Sequence, residues 1–443
     1  MTIQLSEHFT YRKLFRFVFS SILMMVFTSL YSIVDGFFVS RFVGKTPFAA
    51  INLLMPIIMG VSTVGFMLGT GGSAIVSMTL GQKKKDLADK YFSMIVYAGI
   101  ILGIICAFVG SAVIRPVARL LGAEGELLED CVMYGKIIFA FIPLYMLQVM
   151  FQSFFVAAEK PSYSLKVSVA AGLTNMVLDY VFIVILKKGL AGAAVATVIG
   201  YGIGGITPLV YFARRNNSSP LRLTKTKWYG QIFAKSCTNG SSEMVSNLST
   251  SIVGTLYNMQ LMKYAGENGV AAYGVMMYVG FIFAAIFIGY SIGSSPIVSY
   301  HYGAENSGEL KNMYRKGLSL MVLGGIVMVF AAELFARPLV QIFTGYDSEL
   351  TQMTMFGFRI FILSYLFAGI NIWGSSFFTA LNDGLVSAAI SFLRTLVFQV
   401  ATVLILPILF GLNGIWFAII IADLLAATVT ITFLLTKRKK YGY

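Results

Sequence analysis

The chain has 443 residues, of which 57% are hydrophobic and 12% charged, with a net charge of +14 at pH 7 and a mean hydropathy of +0.80. Soluble domains carry about 25% charged residues, so a soluble enzyme is excluded and a polytopic membrane protein is implied. The basic residues sit in short connections between apolar runs, not on one soluble face, which points to membrane topology and away from nucleic acid.

At about 20 residues per membrane-crossing helix, the length divides into twelve helices with no soluble domain left over. Spans are predicted at 13–40, 48–80, 91–113, 132–157, 162–186 and 190–213, forming an N-lobe over 1–213. A polar cytoplasmic linker at 214–228 follows. A C-lobe over 229–443 then holds spans at 229–262, 270–300, 311–334, 350–380, 384–409 and 412–435, with a basic tail. The first span is too long for a signal peptide and no small-residue cleavage site follows it, so a retained helix is expected. Cys106, Cys131 and Cys237 are odd in number and lie in or beside spans, so they read as packing residues.

Cytoplasmic loops are enriched in Lys and Arg. One side of this layout holds 21 of them, including Arg12, Lys13, Arg16, Lys83–Lys85, Arg214, Arg215 and Lys437–Lys440; the other side holds nine. A cell-membrane protein with both termini cytoplasmic is expected.

A constant offset of 222 in numbering aligns Gly44 with Gly266, Ile75-Val76-Ser77 with Ile297-Val298-Ser299, and Gly81 with Gly303. It also aligns Arg115-Pro116 with Arg337-Pro338 and Gly189-Leu190 with Gly411-Leu412. Six helices are therefore duplicated. Because six is even, both copies enter the membrane from the same side. The expected fold is all-α: two parallel six-helix repeats around a central cavity, a plan recurrent in transporters.

Four acids fall inside spans: Asp35, Asp179, Glu243 and Asp423. A carboxylate at membrane depth costs at least about 3 kcal/mol on insertion scales, so each reads as functional. Asn175 and Asp179 are four apart and share a helix face. With Asp35, and with Thr197 and Tyr201 to complete it, they form a candidate N-lobe cluster able to bind a proton or hold Na⁺. Asn239, Glu243, Asn247, Ser251 and Thr255 repeat at every fourth position down the seventh span, a polar stripe that faces a cavity or a neighbouring helix. Trp416 and Asp423 are seven apart, an acidic and aromatic lining suited to an organic cation. Arg359 and Arg394 are expected to neutralise some of these acids or to contact anions in the cavity. Glu243, Asn247, Asp423, Arg359 and Arg394 are thus candidates for a substrate cavity or a secondary cation site. The Gly69–Gly72 and Gly202–Gly205 stretches read as close-packing points. No Walker sequence, metal-spaced cluster or nucleophile motif is present, so neither an enzyme nor a resident cofactor is expected.

Over its full length the chain resembles the multidrug and toxic compound extrusion (MATE) family, nearest its MepA-like and DinF-like branch. The matching stretches are Val34-Asp35-Gly36, Arg41-Phe42-Val43-Gly44, Gly71-Gly72-Ser73-Ala74, Asn175-Met176-Val177-Leu178-Asp179 and Gly189-Leu190-Ala191-Gly192, with Glu243 and Asp423. The resemblance implies a V-shaped pair of six-helix lobes that exports organic cations in exchange for H⁺ or Na⁺; a monomer is expected. It also implies that Asp35, Asn175 and Asp179 form the N-lobe cation site. Two departures stand out: Tyr180, not the frequent proline, follows Asp179, and the first span has no proline before Pro47.

Two rival readings are a lipid-linked oligosaccharide flippase and a non-transporting membrane receptor or scaffold. An anionic lipid-linked sugar calls for a basic cavity, whereas here four acids outnumber the deep arginines. A scaffold would make those acids dispensable for any flux. A major-facilitator carrier shares the repeat plan, but its basic signature is missing from Gly81-Gln82-Lys83-Lys84-Lys85-Asp86.

Overall fold

The computed structural model describes residues 3–214, 219–345 and 347–443; Arg215, counted above, lies outside the described residues. Seven helices make the first half: α1 Tyr11–Phe38, α2 Lys45–Gly81, α3 Lys85–Leu120, α4 Gly125–Ala140, α5 Ile142–Ala157, α6 Pro161–Asp179 and α7 Gly189–Ala213. The second half has α8 Gly230–Gly303, α9 Ser307–Thr344, α10 Ser348–Ile362, α11 Tyr365–Ala380, α12 Gly384–Phe392, α13 Gln399–Phe410, α14 Leu412–Thr436 and the short α15 Arg438–Tyr441.

The 74 residues of α8 would make a rod of about 110 Å at 1.5 Å per residue, several times the ~30 Å hydrocarbon core. Gly266 breaks it, with φ 61° and ψ −150°, values that glycine tolerates for lack of a Cβ. The helix therefore crosses twice. The pairs α4 with α5 and α10 with α11 are each one span bent in the middle, by 53° and 45°. Nine helices are long and apolar enough to cross a membrane. Adding the two bent spans and counting α8 twice gives the expected twelve among the described residues.

The duplication is visible in backbone geometry. Gly44 and Gly266, Lys83 and Glu305, and Gly189 and Gly411 correspond under the repeat offset, and all six have positive φ. The bend after Ala140 has its counterpart after Ile362. One position is then gained in the second copy: α5 (Ile142–Ala157) corresponds to α11 (Tyr365–Ala380), and Pro161 to Gly384, at a shift of 223.

The two lobes meet through glycine. A Cβ on Gly71 would lie 2.0 Å from the Ser236 carbonyl, and one on Gly240 1.9 Å from that of Met67. Likewise, Gly81 abuts the Tyr300 carbonyl and Gly303 that of Met78, each at 2.0 Å. Backbones this close are possible only without side chains. These contacts join α2 to both halves of α8 and reach the end of α2 next to Lys83–Lys85. At and near the opposite end of α8's two arms, Gly254, Gly266 and Gly274 have nothing within 4 Å. The close contacts between the lobes thus lie at the lysine-rich end.

The chain start crosses the packed end. Leu5 and Phe9 are buried in the C-lobe core, the Leu5 N–H donates to Glu159 Oε1 at 2.8 Å, and the Phe9 N–H donates to Glu309 Oε1 at 2.9 Å. The connection after α7 packs back on α3, where the Arg222 N–H donates to Asp89 Oδ1 at 2.9 Å.

Candidate functional site

Asp35 lies on the last turn of α1, and Asn175 and Asp179 on the last turns of α6. Both helices then widen into a π-helical turn, Val39–Val43 after α1 and Tyr180–Ile185 after α6. Single π turns inside helices concentrate at functional sites, because the extra residue per turn re-aims side chains and frees carbonyls. The third π turn among the described residues, Leu393–Phe398, carries Arg394.

Packing of α1, α6 and α7 brings the N-lobe candidates together. Asp179 is fully buried and Asn175 nearly so. Asp35 lies within hydrogen-bonding reach of both Asp179 and Asn175, and Asn175 Nδ2 is 3.5 Å from Thr197 Oγ1. Both oxygens of Asp179 and Oδ1 of Asp35 are buried with no hydrogen-bond donor. Two carboxylates facing each other in a dry site are unstable unless a proton, a cation or ordered water compensates them. Asp35 does not pair with Arg41, as an acid at a solvated helix end would.

Asp35 and Asn175 open on a cavity of about 70 Å³ that Tyr31, Tyr134, Gln148, Thr197 and Tyr201 among others also line, with Asp179 buried behind them. That volume holds a few waters. Drug-sized pockets run to about 300–1,000 Å³, so this cavity has room for water or a small ion and not for a drug-sized molecule. Tyr134 and Gln148 were not singled out from the sequence. They lie in α4 and α5, on the same bent span, and only its packing against α6 and α7 puts them here. The spacing of Gln148 and Gln152, four apart in an apolar helix, was the available signal.

The C-lobe candidates do not form a second such site. Arg394 Nε donates to Asp423 Oδ1 at 2.8 Å, and the Asp423 side chain is 4% exposed, so this acid already holds a cation of the protein's own. Trp416 packs against Gly357 instead of lining a cleft with Asp423, its ring atoms about 3.0 Å from where a Cβ would stand. Arg359, expected to offset a deep acid or to face the cavity, pairs with Glu333 at 2.9 Å on an exposed face, because the amphipathic α10 turns it outward.

Glu243 differs again. Gly240, Glu243 and Asn247 follow i, i+3, i+7 spacing, and Gly240 faces α2, so Glu243 looks into the junction of the lobes. It has no ion-pair partner among the described residues. Asn247 Nδ2 donates to the Glu243 carbonyl at 2.8 Å, and Asn239 Nδ2 to Asn382 Oδ1 at 2.6 Å. The start of the stripe is therefore structural, and the glutamate has no cation of the protein's own.

A duplicated twelve-span bundle with buried, unpaired acids in one lobe is the architecture of a membrane transporter. The family model MatE matches the chain twice, over residues 20–181 and 244–405, and the chain belongs to that family. Among curated relatives, it is 25% identical over 425 residues to the multidrug export protein MepA of Staphylococcus saprophyticus, covering 94% of this chain and 92% of that one. It is 24% identical over 442 residues to MepA of Staphylococcus haemolyticus, covering 98% and 96%. Among solved structures, the outward-facing conformation of a multidrug resistance MATE family transporter superposes with a TM-score of 0.91 at 22% identity, over 97% of this chain and 96% of that one.

Proposed function

We propose that this protein exports organic, mostly cationic and amphipathic compounds across the cell membrane in exchange for H⁺ or Na⁺. The observation that carries the reading is the facing pair Asp35 and Asp179, with both Asp179 oxygens and Oδ1 of Asp35 buried without a donor, beside a small cavity that Asp35 lines. The multidrug export named for its MepA relatives supports the substrate class.

The basic end of the bundle is cytoplasmic by its excess of Lys and Arg, so both termini lie inside. With the close lobe contacts at that end, the cleft is shut toward the cytoplasm and faces the outside. The ion binds Asp35, Asn175 and Asp179, with Thr197 and Tyr201 at the cavity wall. The drug binds in the cleft between the lobes, where Glu243 and Asn247 face it. Because the ion cavity is too small for a drug, the two ligands compete through conformation: each favours a different state, and the exchange is driven by that differential affinity. The protein works as a monomer, since the cleft and both acids of the ion site lie within one chain. The acids oppose the flippase reading, because the one deep arginine of the C-lobe is already neutralised by Asp423.

The test is ethidium transport in proteoliposomes under an imposed pH gradient, with a Na⁺ gradient in parallel, for wild type and Asp179→Asn. Transport that follows one gradient and is lost in the folded variant is expected. Transport unchanged by Asp179→Asn would overturn the assignment of the ion site.

A further inference from the structure

In an antiport cycle the acids at Asp35 and Asp179 release their ion to the packed side, either through the cleft once that end opens or by a path of their own. A polar file runs from them toward it inside the N-lobe. Gln148 forms part of the wall of the 70 Å³ cavity and also of a second cavity of about 10 Å³ that Gln152, Ser164 and Ser168 line. The second volume is that of one water molecule. Gln148 is 6% exposed, and its Oε1 accepts no hydrogen bond from the protein. Space for it exists because position 204 is glycine: a Cβ there would stand 2.4 Å from Gln148 Cδ.

At 1.5 Å per residue, Asp179 lies about 27 Å along α6 from Pro161, Asn175 about 21 Å, Ser168 about 10 Å and Ser164 about 5 Å. On the same scale, Gln148 and Gln152 lie about 14 and 8 Å from the end of α5. The side chains form a staircase between the acid cluster and the α5–α6 connection at Glu159 and Lys160.

The C-lobe supplies the control. At the shift of 223 that relates α5 to α11 and α6 to α12, the same four positions are Asn371, Ser375, Ser387 and Ser391. There they are knitted shut. Ser375 Oγ is 2.9 Å from both Ser387 Oγ and Ser391 Oγ. Asn371 donates to the Asp423 carbonyl and accepts from Thr430. The fold can therefore satisfy polar residues at these positions internally, and in the N-lobe it leaves Gln148 open to cavities on both sides.

We propose that Gln148, Gln152, Ser164 and Ser168 line a single-file water conduit by which the coupling ion, a proton, leaves the Asp35–Asp179 pair for the basic face without passing through the cleft. The inference rests on the antiport reading above. The carboxyl O–H gives its proton to the adjacent water, each water or serine hydroxyl passes a different proton onward, and bulk water at the basic face accepts the last. No bond other than O–H forms or breaks. Glutamine does not carry the proton; its carbonyl and amide orient the waters, which makes Gln148 and Gln152 positioning residues. A hydrated Na⁺ is larger than the one-water gap, so the file is specific for protons.

The full-length chain reconstituted in liposomes, with ethidium as probe, tests this. Gln152→Leu keeps side-chain bulk and removes the polar group one step below the ion cavity. Its ethidium affinity, read by fluorescence anisotropy, should match wild type, while pH-gradient-driven transport falls about tenfold or more. Gln152→Glu should restore the rate. If Gln152→Leu also loses ethidium binding, Ser168→Ala decides by the same two readings. Wild-type rates under a pH gradient in Gln152→Leu and Ser168→Ala would overturn the conduit and leave antiport standing. Wild-type transport that follows Na⁺ and ignores pH would overturn the conduit together with the proton reading.

Discussion

Tyr201 and Asp423 hold the same position in the two repeats, and each sits near the partner type that the other lobe exchanges for it: Tyr201 near Asp35, Asp423 near Tyr257. Asp35 and Tyr257 themselves correspond under the same offset. Each lobe thus keeps one acid and one tyrosine at this pair of sites with the order swapped. The consequence differs because Arg394 reaches Asp423 at 2.8 Å, while the N-lobe pair gains a second acid, Asp179, and no cation.

Breaking the C-lobe pair should therefore be structural in effect. Arg394→Leu leaves Asp423 buried and uncompensated, a loss of about 3–5 kcal/mol. The double change Arg394→Leu with Asp423→Asn should recover most of it, since no charge is then buried. Thermal unfolding in detergent across the four-member cycle measures the coupling; additive losses would show that the pair does not interact.

The N-lobe acids should behave in the opposite way. Asp179→Asn replaces a donorless carboxylate with a neutral amide, so stability should hold or rise while gradient-driven ethidium transport drops about tenfold or more, at least ~1.4 kcal/mol of lost driving interaction. Asp35→Asn should match it. A fall in melting temperature accompanied by normal transport would reverse both assignments.

The N-terminal segment should act as a latch on the packed end. Glu309 accepts from the Phe9 N–H at 2.9 Å and contacts His8 Nδ1 at 2.7 Å, while Asn312 Nδ2 donates to the Phe9 carbonyl at 3.0 Å. Glu309→Ala strands these donors and should weaken the closed end by about 1–3 kcal/mol. Spin-label distances across that face in Glu309→Ala should shift toward longer values relative to wild type, and an unchanged distribution would exclude a latch.

Glu159, in the α5–α6 connection outside the spans, gives a pH dependence with a definite sign. Burial pushes its carboxyl above the usual range, only partly offset by the Leu5 N–H and Lys160. A folded value above the unfolded one means that the folded state holds the proton more tightly. The associated stability is fully present below the unfolded value of about 4.3 and is lost as pH rises through the folded value. Glu159→Gln should remove this component. The melting temperature of wild type relative to the variant should then decline with rising pH and level off; a difference independent of pH would exclude the linkage.

Much of this protein can be read without coordinates. Bilayer thickness fixes helix length, so twelve apolar runs give twelve spans, and a constant offset between matching motifs reveals the duplicated lobe. Asn175 and Asp179 share a face by helical periodicity alone, and a carboxylate in a span stands out because hydrocarbon makes it unfavourable. What periodicity cannot report is which helices touch. Asp35 and Asp179 lie on the first and fifth spans, far apart along the chain, and only the packing of α1 on α6 makes them one site. Only the packing of α14 against the π turn at Leu393–Phe398 gives Asp423 to Arg394, while the outward face of α10 gives Arg359 to Glu333. Gln148 is inconspicuous in sequence, because its place between two cavities depends on Gly204, on a different helix, leaving it room. Local chemistry and length determined the spans, the repeat and the candidate acids; tertiary packing decided which acids are paired, which stand without a partner, and which of them borders a cavity.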